Sequence, residues 1–159
     1  MEYITLGLSV LGCLGSLFSW LYILSKNRKN FDMRIVGHRY GYDNKSLLLF
    51  VSFINKSRLA ISITDMGIKL NGAIYQCRKI PVIAYQNTIS RKDEILAHHE
   101  YFSLSFPITL PELSGTSGYI LFEFPEFAAE PTPTEVSFLI SSNRGRTVEK
   151  TLSLGEHLD

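Results

Sequence analysis

The sequence predicts an all-β domain, an antiparallel sandwich of about eight strands, behind one N-terminal transmembrane helix. Three observations predict this. Residues Tyr3 to Leu24 form an uncharged run of 22, closed at once by Lys26, Arg28 and Lys29. Beyond Phe31 the apolar residues recur with a period of two, which puts alternate side chains on opposite faces of a strand. Turn residues such as Asn71-Gly72 and Asn143-Arg144-Gly145 punctuate these runs at short intervals.

As a helix, the uncharged run reaches about 33 Å, enough for a hydrocarbon core of about 30 Å. A cleaved leader would want basic residues before the run and a small-x-small site after it. Here Glu2 precedes it and Ser25-Lys26-Asn27-Arg28 follows. Tyr3 at one end and Trp20 and Tyr22 near the other suit the two headgroup zones. Basic flanks stay in the cytoplasm, so Lys26, Arg28 and Lys29 predict a single-pass membrane protein with its N-terminus outside and its β-domain cytoplasmic. Thr5, Ser9, Gly12, Ser16 and Ser19 draw one stripe of small residues along the helix, with Gly15 beside it. Gly12, Gly15, Ser16 and Ser19 are therefore candidates for helix association, and the chain a candidate homo-oligomer through that face.

The expected organisation is an anchor over 1–25, a basic juxtamembrane linker over 26–30 and a β-sandwich domain over 31–159. Fully extended, Ser25 to Asn30 spans only about 20 Å, so the domain sits close to the bilayer. Leu47 to Ile54 is almost continuously apolar, the pattern of a central strand. Asn55-Lys56-Ser57 breaks it as a turn, since Asn tolerates left-handed backbone and bonds its own chain. Ile61 and Ile63 share one parity and Met66, Ile68 and Leu70 the other; a bulge at Thr64-Asp65 returns all five to one face. Asn71-Gly72 suits a two-residue primed turn into Ala73–Cys77. Ser90–Ala97 reads equally as a helical turn or as extended chain.

Phe102, Leu104, Phe106, Ile108 and Leu110 alternate with Ser103, Ser105, Pro107 and Thr109, predicting one half-buried strand with an edge or bend at Pro107. Ile120, Phe122 and Phe124 form the next strand, then Val136, Phe138 and Ile140. After the Asn143-Arg144-Gly145 turn, Val148, Leu152 and Leu154 make the return, with Glu149, Thr151 and Ser153 facing water. Such short antiparallel strands indicate a two-sheet sandwich, immunoglobulin-like in general form.

The chain carries 16 Lys or Arg against 15 Asp or Glu, a net charge of +1, without the basic excess of nucleic-acid binders. Cys13 lies in the anchor and Cys77 stands alone in the domain, so no intradomain disulfide is expected, as suits a reducing compartment. Asn44 and Asn55 head Asn-x-Ser sites that matter only if the domain lies outside.

Catalytic and cofactor signals are absent. His98-His99-Glu100 is the densest ligand-capable group, but neighbouring strand residues point to opposite faces, so metal binding is not expected. No Gly-x-Ser-x-Gly elbow occurs, and Ser103 and Ser105 occupy outward polar positions. Gly115-Thr116-Ser117-Gly118 lacks the Lys and the helix of a phosphate loop and reads as a plain turn. Arg78-Lys79 and Arg91-Lys92 are basic doublets that solvent or anionic lipid would accept. Between Glu123 and Glu135, carboxylates alternate with aromatics and prolines. Proline stiffens a loop and aromatics supply contact area, so Glu126, Phe127 and Glu130 are candidates for contacting an unknown protein partner.

The stretch Phe53-x-Asn55-Lys56-Ser57, followed by Ile61-Ser62-Ile63, resembles uncharacterised membrane-anchored β-sandwich proteins of Gram-positive bacteria and their prophages. More remotely, Phe53-Ile54-Asn55 through Leu70-Asn71-Gly72 is similar to the late-embryogenesis-abundant type 2 β-sandwich, which usually has Asn-Pro-Asn at that turn. The resemblance implies a sandwich fold and a bacterial or phage source, and it transfers no catalytic residue. The expectation is a membrane-tethered, non-enzymatic sandwich without cofactor, binding a protein partner at the cytoplasmic face. The alternatives are an outward-facing surface or adhesion module of the same fold and, third, a hydrolase whose site the sequence does not announce.

Overall fold

The computed structural model describes residues 2–26, 29–41, 45–91, 94–124 and 135–158. Among these residues one helix, α1 (Glu2–Lys26), precedes eleven strands. They are β1 (Phe31–Tyr40), β2 (Ser46–Asn55), β3 (Ile61–Leu70), β4 (Ala73–Gln76), β5 (Ile83–Arg91) and β6 (Glu94–Phe102). Then follow β7 (Ile108–Leu110), β8 (Gly115–Glu123), β9 (Glu135–Ser142), β10 (Val148–Ser153) and β11 (Glu156–His157).

The strands form two main sheets, ordered β11-β1-β2-β8 and β10-β9-β3-β4, with β7 also paired to β3 and β5-β6 as a separate hairpin. Pairing is antiparallel apart from the short β1–β11 contact. The domain is all-β and sandwich-like, as its apolar alternation requires. Leu47, Leu49, Val51 and Phe53 from central β2 and Ile120 and Phe122 from β8 are buried with Ile61, Ile63, Met66 and Ile68 from β3 and Phe138 and Ile140 from β9. Each such side chain contributes roughly 1.5–3 kcal/mol relative to exposure. None of this core comes from α1.

The irregularity in β3 falls where parity demands it. Pairing with β9 shifts between Ile63 and Asp65, and Ile61, Ile63, Met66, Ile68 and Leu70 are all buried. Asn71 and Gly72 take φ of 49° and 81°, the left-handed pair that a primed hairpin turn needs. A second bulge, between Ile35 and Gly37 of β1, has no comparable signal in the sequence.

Three expectations need correction. Residues 102–110 are not one strand. β6 ends at Phe102, which is exposed, while Ser103 is buried and β7 begins only at Ile108. Ser103 is no outward polar residue, because its hydroxyl accepts from Val82 N at 3.0 Å and its own N–H donates to Val82 O. Gly115–Gly118 is not a turn but the first half of β8, paired with Val51–Ile54 of β2. Its glycines serve close approach: a Cβ on Gly115 would lie 2.8 Å from Phe53 O, and one on Gly118 would lie 2.7 Å from Leu104 Cγ. The stretch Ser90–Ala97 belongs to the β5-β6 hairpin on both sides of 92–93.

One side of the sandwich is closed by a chain that changes sheets. Cys77 N donates to Met66 O in the second sheet, while Cys77 bridges Phe122 of β8 and Arg78 N donates to Leu121 O. Leu104 N donates to Tyr119 O farther along β8, so that strand's outer edge is covered. Asn55 ties the end of the domain where the linker arrives. It is buried, and its amide donates to Leu59 O, Leu110 O and Pro111 O at 2.9, 3.2 and 2.8 Å. Its Oδ1 accepts from the N–H and hydroxyl of Ser57 at 2.9 and 2.6 Å. Asn55 thus bonds its own chain, as expected, but without left-handed backbone.

Candidate functional site

α1 is the most distinctive surface of the molecule. Its window Gly7–Leu24 has a mean hydropathy of 1.7, and none of it is buried by the rest of the protein. Tyr3, Trp20 and Tyr22 are exposed, as are Leu8, Leu11, Leu17, Phe18 and Leu21. A core helix of a soluble domain would be covered; this one is apolar enough to cross a membrane and is covered by nothing. Its small residues open a shallow groove of about 730 Å³ lined by Ser9, Gly12, Cys13, Ser16 and flanking Leu17 and Trp20, among others. Gly12 and Ser16 lie in that groove, whereas Gly15 and Ser19 do not line it. The Ser16 hydroxyl donates to Gly12 O at 3.0 Å, so its polarity is satisfied within the helix.

Lys26 ends α1, and Arg28 lies outside the described residues. Lys29 turns back onto the domain: its Nζ donates to Arg146 O at 3.3 Å and stands 5.1 Å from the Phe31 ring centroid. Lys150 Nζ stands 5.0 Å from the same ring. Two ammonium groups therefore lie against one aromatic ring, and burial lowers the pKa of Lys29. Beside them Asp32 is held below the usual carboxylate range by its hydrogen bond to Lys56, at 3.1 Å.

The predicted partner loop, with Glu126, Phe127 and Glu130, lies outside the described residues. His98, His99 and Glu100 lie along β6 in exposed positions, and His98 Nε2 is 3.2 Å from Glu100 Oε1. Among the described residues no three His, Cys, Asp or Glu side chains are grouped to hold a metal. Arg78 and Lys79 are engaged by carboxylates, Glu123 Oε2 and Asp65 Oδ2, each at 2.9 Å. Cys77 is buried, and burial pushes its thiol pKa up to about 11, which makes it a poor nucleophile.

Sequence reasoning missed one concavity. At the end of the domain away from the linker, Arg39, Tyr40, Ser46 and His157 line a cleft of about 600 Å³ together with the apolar Leu48 and Leu121. The Tyr40 hydroxyl is closed off from water and has no hydrogen-bond partner among the described residues, and burial raises its pKa. No spacing in the sequence announces this cleft, because its lining comes from β1, β2, β5, β8 and β11.

No family model matches the chain, and no curated protein matches it. Among solved structures, a beta-glucosidase from Listeria innocua in complex with glucose is similar at 11% identity and a TM-score of 0.34. The likeness covers 82% of this chain and 17% of that one. At that score it carries no argument about fold or activity here.

Proposed function

We propose that this protein is a single-pass, membrane-tethered, non-catalytic interaction module whose β-domain binds a protein partner at the cytoplasmic face. The observation that carries the tether is the fully uncovered apolar helix α1 beside a domain that completes its core without it. The basic residues that follow the span support the cytoplasmic placement. Asn55 supports it too: this sequon asparagine is buried with its amide fully bonded, so the folded domain offers no glycan acceptor there. A buried, unpaired Cys77 agrees with a reducing compartment.

The test is thiol labelling in intact cells. Glu149 is exposed on β10, so Glu149→Cys in a Cys13→Ser background presents one accessible thiol. A membrane-impermeant maleimide should label it only after permeabilisation. Labelling of intact cells would instead place the domain outside and favour a surface module.

A further inference from the structure

The end of the domain that receives the linker is assembled from loops distant in sequence. Lys56 N donates to Asn30 O at 2.8 Å, which lays the β2–β3 loop against the linker. Leu113 N donates to Ser57 O and Asn55 N to Ser114 O, which adds residues 111–114. The β9–β10 turn arrives through Lys29 and is fastened to β3 by reciprocal bonds, Asn143 N to Ser62 O and Ser62 N to Asn143 Oδ1, both 2.9 Å.

These loops bring Arg58, Arg144 and Arg146 to the same end as Lys29 and Lys56. Arg58 and Arg146 are exposed and Arg144 is half-buried. Nearby Asp32 is already occupied by Lys56 and Lys150, at 3.1 and 3.6 Å, and Glu112 is the acidic residue within the loops named. Among the described residues, Arg58, Arg144 and Arg146 form no salt bridge, whereas Arg78, Lys79 and Lys69 elsewhere are matched to Glu123, Asp65 and Glu149. The apolar window ends at Leu24. The step from there to Lys29 spans at most about 17 Å, so this basic end is held within one or two Debye lengths of the bilayer.

We infer that this end is a docking surface for the anionic lipid headgroups of the leaflet in which α1 ends, with Arg58, Arg144, Arg146 and Lys29 resting on phosphate and carboxylate oxygens. The inference rests on α1 being a membrane anchor. The tether keeps the surface at high effective concentration above the lipid, so weak contacts suffice to lay the domain down. At roughly fivefold per well-placed cation, three arginines raise the docked-to-lifted ratio on the order of a hundredfold at physiological salt.

The experiment uses the full chain in nanodiscs, either of phosphatidylcholine alone or with about a third phosphatidylserine, a surface that attracts basic segments. A donor dye sits on Thr147→Cys in a Cys13→Ser background, and acceptor dyes sit in the headgroups. Because the tether already holds the donor near the lipid, transfer is expected to be higher in the anionic discs than in phosphatidylcholine, and that excess should collapse at about 0.5 M salt as screening shortens the field. Arg58→Gln/Arg144→Gln/Arg146→Gln should lower transfer to the phosphatidylcholine value, while Lys69→Gln at the opposite end should leave it unchanged. Equal transfer in both discs, or an undiminished signal from the triple variant, overturns the docking surface. Alkaline-wash flotation of the same chain reports the anchor separately: failure to float overturns both readings, and flotation with lipid-independent transfer overturns this one alone.

Discussion

Replacing Asn55 probes how one polar side chain closes the linker end of the domain. Its amide satisfies three carbonyls and its oxygen satisfies two donors of Ser57, all inside a buried site. Asn55→Ala removes every one of these bonds; Leu59 O keeps the Ser57 hydroxyl at 2.9 Å and Pro111 O keeps the Ser114 hydroxyl at 2.8 Å, so the loss falls chiefly on Leu110 O and the Ser57 N–H. A buried group stripped of its partner costs about 1–3 kcal/mol, but carbonyls retain a second lone pair and water can enter the vacated space. A total near 3 kcal/mol follows, or about 10 °C in Tm for a domain of about 130 residues.

Asn55→Asp is the sharper variant. A carboxylate there would face three carbonyl oxygens, so burial and repulsion favour its neutral form and raise its folded pKa above the unfolded value. Between the two pKa values the folded state then holds a proton that the unfolded state has lost. Stability must fall as pH rises through that window. The N55D protein should therefore be more stable at pH 4.5 than at pH 7, relative to wild type at each pH. Denaturant titration of the full chain in mild detergent, followed by its β-sheet circular dichroism, measures both quantities. Less than 1 kcal/mol lost in N55A, or an N55D protein relatively more stable at pH 7, would refute the reasoning.

Gly118→Ala forces a methyl into Leu104 and should cost about 1–3 kcal/mol, much of it recovered in Gly118→Ala/Leu104→Ala; a double-mutant cycle on denaturation midpoints reads the coupling. If the α1 groove mediates self-association, Gly12→Leu and Ser16→Leu should weaken crosslinking of the membrane-inserted helix, while Leu11→Ile, which does not line the groove, should not. The Cys77 thiol should resist a maleimide in the native domain and react on unfolding. Because its pKa rises from 9.0 to about 11 on folding, the folded state holds the proton longer, and stability should decline more steeply from pH 9 to 11 in wild type than in Cys77→Ala, where the buried Tyr40 hydroxyl still contributes a decline of the same sign. Denaturation midpoints across that range give the sign.

Much of this protein was legible along the chain because the information is local. The length and polarity of α1, the period-two pattern of β2, β8 and β9, and the left-handed turn at Asn71-Gly72 each follow from neighbouring residues. Even the β3 bulge could be read, since the parity change between Ile63 and Met66 leaves one way to bury all five apolar side chains. Periodicity reports which face a side chain takes, and it is silent about what lies on the other side.

The errors arose where the answer depended on a distant partner. Residues 102–110 alternate well enough for one strand, yet Ser103 turns inward to meet Val82 and Phe102 is left exposed. Gly115–Gly118 has the composition of a turn but forms strand, because Phe53 and Leu104 approach too closely for a side chain there. The basic end beside the linker has the same origin: Lys29, Arg58 and Arg146 are far apart in sequence and meet only through hydrogen bonds of the folded loops. The sequence alone thus determined a lipid-length helix and a sandwich of short strands, since chain-local sterics and burial patterns decide those. Which glycines are contacts, which serine is buried and where the free charge gathers were decided by tertiary structure, because each depends on long-range pairing that no local spacing encodes.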